Sequence, residues 1–363
     1  MKFLVDIGHP AHVHYFRNLI ILLKNNGHSV YVTVKENSFA KTLLNKYGFE
    51  YIALPAKSDT LYGKALNQIL YVRILLKLCR QYKIDTAFGV SITIAHLSQL
   101  SKVKSIVFDD DDDEVQPLFV KWGQPYATEL LSPDILRGRQ RRKDVVYYPG
   151  YHELAYLHPK RFTPDPGVLE ELGLEGNDNF FILRFNAFKA HHDRGIDGLN
   201  HQQKSKLIGI LKPYGRVFLT AEGNGEKELT EYKLEISPEK IHSIIYYSRL
   251  FIGDSQTMTS EAAMLGVPSL RCNSFAGRIS YLEEQERKYG LTYAFSPEQF
   301  EQMVVKLQEL LANQNLRQEW QEKREIMLND KLDVTSFWAW FIENYPDSVE
   351  EVKTNPDVFN QFK

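Results

Sequence analysis

The stretch KFLVDIGHPAHVHYFRNLIILLKNNG, residues 2–27, carries the pattern that decides the fold. Its apolar run over residues 2–7 predicts a short buried strand, and residues 8–12 predict a turn. Apolar residues then recur at helical spacing over residues 13–25, which predicts an amphipathic helix that ends at Asn26-Gly27. The chain therefore opens with the strand, loop and helix of an α/β protein.

The same alternation continues along the chain. Further strands are predicted over residues 28–34, 49–54, 84–90 and 103–108, and helices over residues 38–47, 66–82 and 91–100. Short connections between such elements predict a parallel sheet covered by helices on both faces, with ligands beyond the carboxyl ends of the strands. The loop from Gly8 to His14 is therefore a candidate site.

The composition changes over residues 149–179, where Pro, Gly and charged residues replace the strand pattern. The alternation then restarts, with strands predicted over 180–185, 216–220, 249–252 and 269–271, and helices over 203–211, 240–247, 260–265 and 297–311. We interpret the change of composition as a domain boundary between two α/β domains.

The overall composition narrows the class of protein. A length of 363 residues with 43% hydrophobic residues suits two domains, and 44 Lys and Arg against 46 Asp and Glu gives no basic excess for binding nucleic acid. Cys79 and Cys272 lie in apolar stretches, and we expect both to be buried and reduced. We find no signal peptide and no apolar run near the roughly 20 residues of a membrane span, and expect a soluble cytoplasmic protein.

The strongest candidate motif is FIGDSQTMTSEAAMLGVP, residues 251–268, a strand, a small polar turn, a helix and a Gly-x-Pro exit. Backbone N–H groups at the helix start, with hydroxyls such as that of Ser255, suit a diphosphate at the positive end of the helix dipole. Glu261, one turn further, is placed to bind ribose hydroxyls. The pattern is equally consistent with Asp254 and Ser255 capping an ordinary helix.

This motif resembles the signature of GT-B nucleotide-sugar enzymes, among them UDP-N-acetylglucosamine 2-epimerase and the peptidoglycan N-acetylglucosaminyltransferase of the lipid II pathway. Glu261 and Gly266-Val267-Pro268 fall in register with that signature, whereas Gln256 and Thr257 stand where it has glycines. The resemblance implies a set of donor-binding residues: Gly8, Arg184, Lys189, Asp254, Ser255, Gln256, Thr257 and Glu261.

The loop GHPAHVH, residues 8–14, resembles the Gly-Gly-His-Val loop of the same transferases, and His12 aligns with their loop histidine. A histidine with a pKa near 6.5 can take a proton from an acceptor hydroxyl at neutral pH. His12 is therefore the predicted base, ahead of His9 and His14. The alternative is that all three histidines only form loop hydrogen bonds.

Residues 1–330 resemble more closely a bacterial and archaeal family catalogued as a domain of unknown function and grouped with GT-B glycosyltransferases. The similarity lies in DIGHPAHVH (6–14) with Phe16, in GYHELAYL (150–157) and in the segment 184–193. It implies a GT-B-type α/β fold, with two Rossmann-like domains whose parallel sheets face a central cleft. The sequence patterns divide the chain into domain 1–155, a linker 156–179, domain 180–335, a helix 336–346 and a polar tail 347–363, and the resemblance implies that the helix packs back on the first domain.

Two further groups of charged or titratable residues lie in the segment 184–193, and only the first is predicted to bind a ligand. Arg184, with Lys189 nearby, is expected to neutralise the leaving diphosphate, and the alternative is a salt bridge between domains. Adjacent histidines point to different sides of an extended chain, so His191-His192-Asp193 does not predict a metal site, and no metal or other cofactor is expected.

The run of acids over residues 109–114 follows a predicted strand directly. Most of it is expected to be solvated loop, with Asp113 or Glu114 facing the site as a catalytic acid or base. The basic cluster over residues 137–143 and the helix residues Arg73, Lys77 and Arg80 suit lipid head groups, although solvated surfaces are the commoner explanation. Contact with the inner face of a membrane therefore stays a minority hypothesis.

The leading mechanism is an inverting glycosyl transfer from a nucleotide sugar, in bacterial surface polysaccharide or glycolipid synthesis. His12 activates a hydroxyl of an acceptor, lipid-linked in one version, and the 251–261 turn with Arg184 stabilises the departing nucleoside diphosphate. The alternatives are epimerisation of the nucleotide sugar by carboxylates of the 109–114 run, and a non-catalytic nucleotide-sugar binder.

Overall fold

The computed structural model describes residues 1–56, 61–109, 111–139, 142–176, 178–185, 198–221 and 227–363. The chain forms two compact units. Unit 1 comprises Met1–Arg161 and Lys331–Lys363, and unit 2 comprises Phe162–Asp330. The boundary between Arg161 and Phe162 therefore falls inside the segment 156–179 that the sequence assigns to a linker.

Strands and helices alternate along both units. The strands are β1 (Lys2–Ile7), β2 (Ser29–Val34), β3 (Ile52–Ala53), β4 (Thr86–Gly89), β5 (Lys104–Phe108), β6 (Glu129–Pro133), β7 (Val146–Tyr148), β8 (Phe180–Phe185), β9 (Arg216–Ala221), β10 (Leu250–Gly253), β11 (Ser269–Cys272) and β12 (Thr292–Phe295). The helices are α1 (Pro10–Asn25), α2 (Ser38–Lys46), α3 (Leu61–Tyr82), α4 (Ile92–Leu100), α5 (Pro117–Trp122), α6 (Leu154–Leu157), α7 (Gly167–Glu171), α8 (His201–Leu211), α9 (Ile241–Tyr247), α10 (Gln256–Met264), α11 (Ser280–Arg287), α12 (Phe300–Ala312), α13 (Leu316–Asp330), α14 (Val334–Glu343) and α15 (Asp347–Thr354).

In the described part of unit 1, seven parallel strands form one sheet in the order β3-β2-β1-β4-β5-β6-β7. Neighbouring side chains of β1 point to opposite faces of this sheet. Leu4 belongs to a core cluster with Leu75 of α3, Ile94 of α4 and residues of α5. Phe3 instead contacts Phe88, which contacts Phe16 of α1. Helices α3, α4 and α5 therefore cover one face, and α1 covers the other.

The C-terminal helix α14 completes the face of unit 1 that α1 covers. The ring of Trp338 lies 4.3 Å from that of Phe108 and 5.9 Å from that of Phe16, measured between centroids. The hydroxyl of Thr335 donates to the carbonyl of Ala155 at 2.7 Å. Residues of α14 thus form part of the core built by the first 160 residues.

Residues 347–363, which the sequence assigns to a polar tail, are folded. Helix α15 is followed by the 3-10 turn Pro356–Phe362, in which Val358 and Phe362 are buried. The Phe362 ring lies 5.6 Å from that of Phe337. Two apolar side chains at the spacing of one helical turn hold this segment against α14.

In the described part of unit 2, five parallel strands form a sheet in the order β12-β11-β10-β8-β9. The central strand β10 pairs with β8 from Leu250↔Phe181 to Gly253↔Arg184. A Cβ atom on Gly253 would lie 2.3 Å from the carbonyl oxygen of Arg184, so only glycine fits where β10 ends. This close approach sets the path of the chain into α10.

Helices α1 and α10 begin earlier than predicted, for reasons that are local. Helix α1 begins at Pro10, because the His9 side chain accepts a hydrogen bond from Ala11 N and proline suits the first helical position. Helix α10 begins at Gln256, because Ser255 caps it by accepting from Met258 N. The strands β6, β7 and β12 were not predicted from the sequence, because strands of three to five residues show little alternation of apolar and polar side chains.

Candidate functional site

A buried carboxylate lies at the carboxyl end of β1. Asp6 Oδ1 accepts from the Thr33 hydroxyl at 3.0 Å, and Asp6 Oδ2 accepts from the Ser91 hydroxyl at 2.8 Å. The ammonium group of Lys35 lies 3.6 Å from Oδ2. Asp6 therefore ties together the ends of β1, β2 and the loop after β4. Sequence reasoning missed this role, although an acid inside the apolar run KFLVDI is its signal.

His12 lies directly beyond this carboxylate, in the first turn of α1. The amide of Gly8 donates to His12 Nδ1 at 3.3 Å. An amide N–H only donates, so Nδ1 accepts and the neutral ring carries its proton on Nε2. Nε2 can take a proton only in the other neutral tautomer, in which the proton of the ring lies on Nδ1. Nδ1 then no longer accepts the hydrogen bond from the Gly8 amide, and that contact must break. A Cβ atom on Gly8 would lie within 3.8 Å of the His12 ring and of the Lys35 ammonium, which places these three residues together.

The other two histidines of the loop have structural partners. His9 caps α1. Nδ1 of the buried His14 lies 3.3 Å from the Tyr47 hydroxyl, and the His14 ring stacks on that of Tyr156 at 5.4 Å. His9 and His14 therefore form structural contacts, as expected if these loop histidines only form hydrogen bonds.

The acidic run after β5 is mostly buried where the structure describes it, and the expectation of a solvated loop is wrong. Asp109 and Asp113 are buried, and both accept from the Gln124 side-chain amide at 2.8 Å. Gln116 also donates to Asp109. Two carboxylates thus converge on one amide nitrogen. Glu114, the other predicted acid, is exposed.

In unit 2, the turn after β10 lies beside the end of β8. The amide of Asp254 donates to the carbonyl of Arg184 at 3.1 Å, and the Asn273 side chain donates to the carbonyl of Asp254 at 2.7 Å. Ser255 begins the helix as its N-cap. The structure therefore brings Arg184, Asp254 and Ser255 to one edge of the sheet, and it places Gln256 and Thr257 in the first helical turn.

Glu261 is buried and has a partner that the sequence did not predict. His242 Nε2 lies 2.9 Å from Glu261 Oε1, and the two side chains are 1% and 7% exposed. His242 belongs to α9, and Glu261 belongs to α10. The only signal in the sequence is a histidine within the apolar helix IHSIIYY.

Arg271 is a second residue that sequence reasoning missed. It stands on β11 beside Gly253 and is buried, and neither of its terminal nitrogens has a hydrogen-bond partner among the described residues. Burial lowers the pKa of Arg271, while Tyr281 and nearby glutamates oppose that effect. Ser269, on the same face of β11, donates to a carbonyl of α10. The Arg271 side chain therefore lies in the layer of α10 and α11.

Several predicted features lie elsewhere. Lys189 and the segment 191–193 are outside the described residues. Within the described ranges, no group of three or more His, Cys, Asp or Glu side chains is arranged to hold a metal ion. Burial raises the pKa of Cys79 to about 11 and that of Cys272 to about 12, so both remain thiols at neutral pH.

The basic cluster over residues 137–143 has structural roles in its described members. Arg142 donates to the carbonyls of Gln124, Ala127 and Thr128 and pairs with Asp144. The Arg137 guanidinium lies 4.5 Å from the centre of the Tyr147 ring. These contacts anchor the loop to unit 1, while Arg137, Arg139 and Lys143 remain exposed.

Two α/β units, each with a parallel sheet, have the architecture of GT-B enzymes, and the predicted fold class is confirmed. Over residues 1–292 the chain matches the family described as "Protein of unknown function (DUF354)", and it belongs to that family. An uncharacterized protein of Methanocaldococcus jannaschii is 24% identical over 302 residues, which cover 78% of this chain and 85% of that protein.

Solved structures similar to this chain include both epimerases and transferases. A putative UDP-N-acetylglucosamine 2-epimerase from Listeria monocytogenes superposes with a TM-score of 0.70 at 13% identity, covering 95% of this chain and 96% of that one. A spinosyn rhamnosyltransferase complexed with spinosyn aglycone gives a TM-score of 0.58 at 12% identity, covering 94% of this chain and 99% of that one. Identities this low show the fold alone.

Proposed function

We propose that the protein is a glycosyltransferase that takes its sugar from a nucleoside-diphosphate donor. The observation that carries the proposal is the capped start of α10 at the carboxyl end of the central strand β10. The amides of Gln256 and Thr257 lie too early in the helix to find an acceptor within it. They and the positive end of the helix dipole suit a diphosphate.

Three side chains around this helix support the same assignment. Arg184 lies near the carboxyl end of the neighbouring strand β8, and Arg271 places a buried positive charge in the layer of α10 and α11. These charges offset those of a diphosphate without a metal ion. Glu261 is held at one oxygen by His242, which orients its carboxylate for hydrogen bonds with ribose hydroxyls. Lys189 remains a prediction.

In the proposed reaction, the acceptor hydroxyl loses its proton to His12. Its oxygen attacks the anomeric carbon, the bond from that carbon to the diphosphate oxygen breaks, and the nucleoside diphosphate leaves with the electron pair. The configuration at the anomeric carbon is inverted. The Gly8 contact must open for His12 to act in this way, so proton transfer is coupled to a small movement of the loop.

Thermal unfolding with a nucleotide panel tests the donor site. UDP, GDP, CDP, dTDP and their sugars are each added in excess, with UDP first because the structural neighbours include UDP-sugar epimerases. A ligand at 100 times its Kd adds about 2.7 kcal/mol of stability. We expect one nucleotide to raise Tm in the wild type and in Glu325→Ala, an exposed control, but not in Glu261→Ala. No shift with any nucleotide would refute the donor site.

Epimerisation of the nucleotide sugar is the second candidate, and the Asp109–Asp113 pair favours it. Two buried carboxylates on one amide nitrogen suit the exchange of a proton between an acid and a base. This reaction needs no acceptor, and in D2O it places deuterium on the carbon that is inverted. NMR of a UDP-sugar incubated with the enzyme, and with Asp113→Asn, separates it from glycosyl transfer.

A nucleotide-sugar binder without catalysis is the third candidate. It predicts a thermal shift that survives His12→Ala, with no turnover by the wild type in the presence of any acceptor.

A further inference from the structure

We propose that the outer surface of α3, α4 and α5 in unit 1 docks on an anionic lipid bilayer. This surface, called the α3–α5 face below, lies on the side of the sheet opposite α1. The proposal goes beyond the reaction and does not depend on it. It rests on the contiguity of the three helices, their exposed apolar side chains and their charge.

The three helices lie side by side. The Gln68 side chain of α3 donates to the Thr93 hydroxyl of α4 at 3.2 Å. His96 Nε2 of α4 lies 2.8 Å from the carbonyl oxygen of Trp122 in α5. The α3–α5 face is therefore one continuous surface rather than three separate helices.

Large apolar side chains are exposed at both sides of this surface. Leu66, Ile69 and Leu70 flank Gln68 on α3 and are 41–54% exposed. Leu118 and Trp122 on α5 are 64% and 47% exposed. Single exposed apolar residues are ordinary, but a group of five on adjoining helices indicates an interaction surface. Tryptophan is enriched at the boundary between lipid and water.

The charge of these helices identifies the partner. Residues 61–82, 92–100 and 117–122 contain no Asp or Glu and five basic residues, which are Lys64, Arg73, Lys77, Arg80 and Lys121. Residues 1–108 contain 14 Lys and Arg against 5 Asp and Glu, in a chain whose net charge is -2. Basic and apolar groups on one helical surface are typical of proteins that lie on anionic membranes.

The face is suited to lie on a bilayer and not to cross it. Among the helices of the described residues, none is long and apolar enough to span a membrane. Exposed Arg73, Lys77 and Arg80 extend along α3 beyond the apolar group. Their aliphatic stems can lie against lipid while their charges reach the head groups.

Sedimentation of the full chain with vesicles tests the proposal. Vesicles of phosphatidylcholine with about one quarter phosphatidylglycerol are compared with pure phosphatidylcholine, at low salt and in 0.5 M NaCl, where screening weakens electrostatic binding. We expect the protein to sediment only with the anionic vesicles and to be released by salt. Arg73→Glu with Lys77→Glu should weaken binding by at least about 25-fold, since each basic residue contributes about fivefold.

Matched variants on the opposite side of unit 1 provide the controls. Ile69→Ser with Trp122→Ser should reduce binding at least tenfold, whereas Ile21→Ser on α1 should leave it unchanged. Lys24→Glu with Lys46→Glu, exposed on α1 and α2, should cost much less than the α3 pair. Each variant must retain the Tm of the wild type, which shows that it is folded. The nucleotide-induced Tm shift is measured separately, so the docking proposal and the proposed glycosyltransferase function can each fail without the other.

Three results would overturn the proposal. One is the absence of sedimentation with anionic vesicles. Another is binding that the α3 and α5 substitutions leave intact. The third is light scattering that shows a dimer dissociated by Ile69→Ser, without vesicle binding, which would mean that a second copy of the chain covers this face.

Discussion

His242 Nε2 and Glu261 Oε1 lie 2.9 Å apart in the interior of unit 2. This contact joins α9 to α10, and it fixes the carboxylate that we assign to ribose. A buried polar group that loses its partner keeps its desolvation cost, so the two residues should depend on each other for stability.

We expect His242→Leu and Glu261→Met each to lower the free energy of unfolding by about 2–4 kcal/mol. The double variant should cost less than the sum, with a coupling of about 1–3 kcal/mol, because neither polar group is then left alone. Urea unfolding of the four proteins measures this cycle. A coupling near zero would mean that the pair is not a structural unit.

Gly253 should tolerate no side chain, because a Cβ atom there meets the backbone of Arg184. We expect Gly253→Ala to lower the free energy of unfolding by about 1–3 kcal/mol and to weaken nucleotide binding, since the shift occurs next to the turn. Gly209→Ala is the control. That glycine lies in α8 with no atom within 4 Å of the added Cβ, and its replacement should stabilise by about 0.5–1 kcal/mol.

His12 should affect turnover and not donor binding, because the proposed nucleotide contacts lie on unit 2. We expect His12→Ala to lower kcat by about 100-fold or more and to leave the nucleotide-induced Tm shift in place. His9→Ala should cost about 1 kcal/mol of stability through the lost helix cap, with turnover retained. Equal loss of activity in both variants would assign the loop a structural role only.

The pairing of Asp333 with Arg161 should make unit 1 sensitive to acid. Burial raises the pKa of Asp333, but the hydrogen bonds and charge of Arg161, with help from Ser336, outweigh it and hold the pKa below its usual value. A carboxyl whose folded pKa is lowered stabilises the protein above its unfolded pKa, near 3.9, and this contribution is lost as pH falls through the folded pKa.

We therefore expect Asp333→Asn to lower the free energy of unfolding by about 3 kcal/mol at pH 7, at the low end for a buried pair because Arg161 is 23% exposed. The difference from wild type should shrink below about pH 4. Asp357→Asn, at an exposed position near the C-terminus, should change stability by less than about 0.5 kcal/mol at either pH. Urea titrations at pH 7 and pH 3.5 measure both.

The fold followed from local patterns, because the first 108 residues alternate apolar strands with amphipathic helices whose ends are marked by Gly and Asn. The positions of His12 and of the 251–261 turn, each beyond the carboxyl end of a strand in its own sheet, followed from the same parallel arrangement. These features depend on residues that are close together in sequence, and for that reason they can be predicted from one amino-acid sequence.

The partners of buried polar groups depend instead on residues distant in sequence. Five consecutive Asp residues resemble a solvated loop until Gln124 is seen to bind two of them. The His242–Glu261 contact and the buried Arg271 arise in the same way, from the packing of helices that no local pattern relates. The polar composition of residues 347–363 concealed two apolar anchors, Val358 and Phe362.

The contact between Phe108 and Trp338 has a consequence for the order in which the protein is made. The residues that form the aromatic face of the first sheet, among them Phe16 and Phe108, are synthesised long before α14, the helix whose Trp338 covers that face. Unit 2 is continuous in sequence and can be complete while unit 1 still lacks its last layer. The nascent chain therefore presents an uncovered apolar surface until α14 has been made, which happens only after the whole of unit 2 has been synthesised.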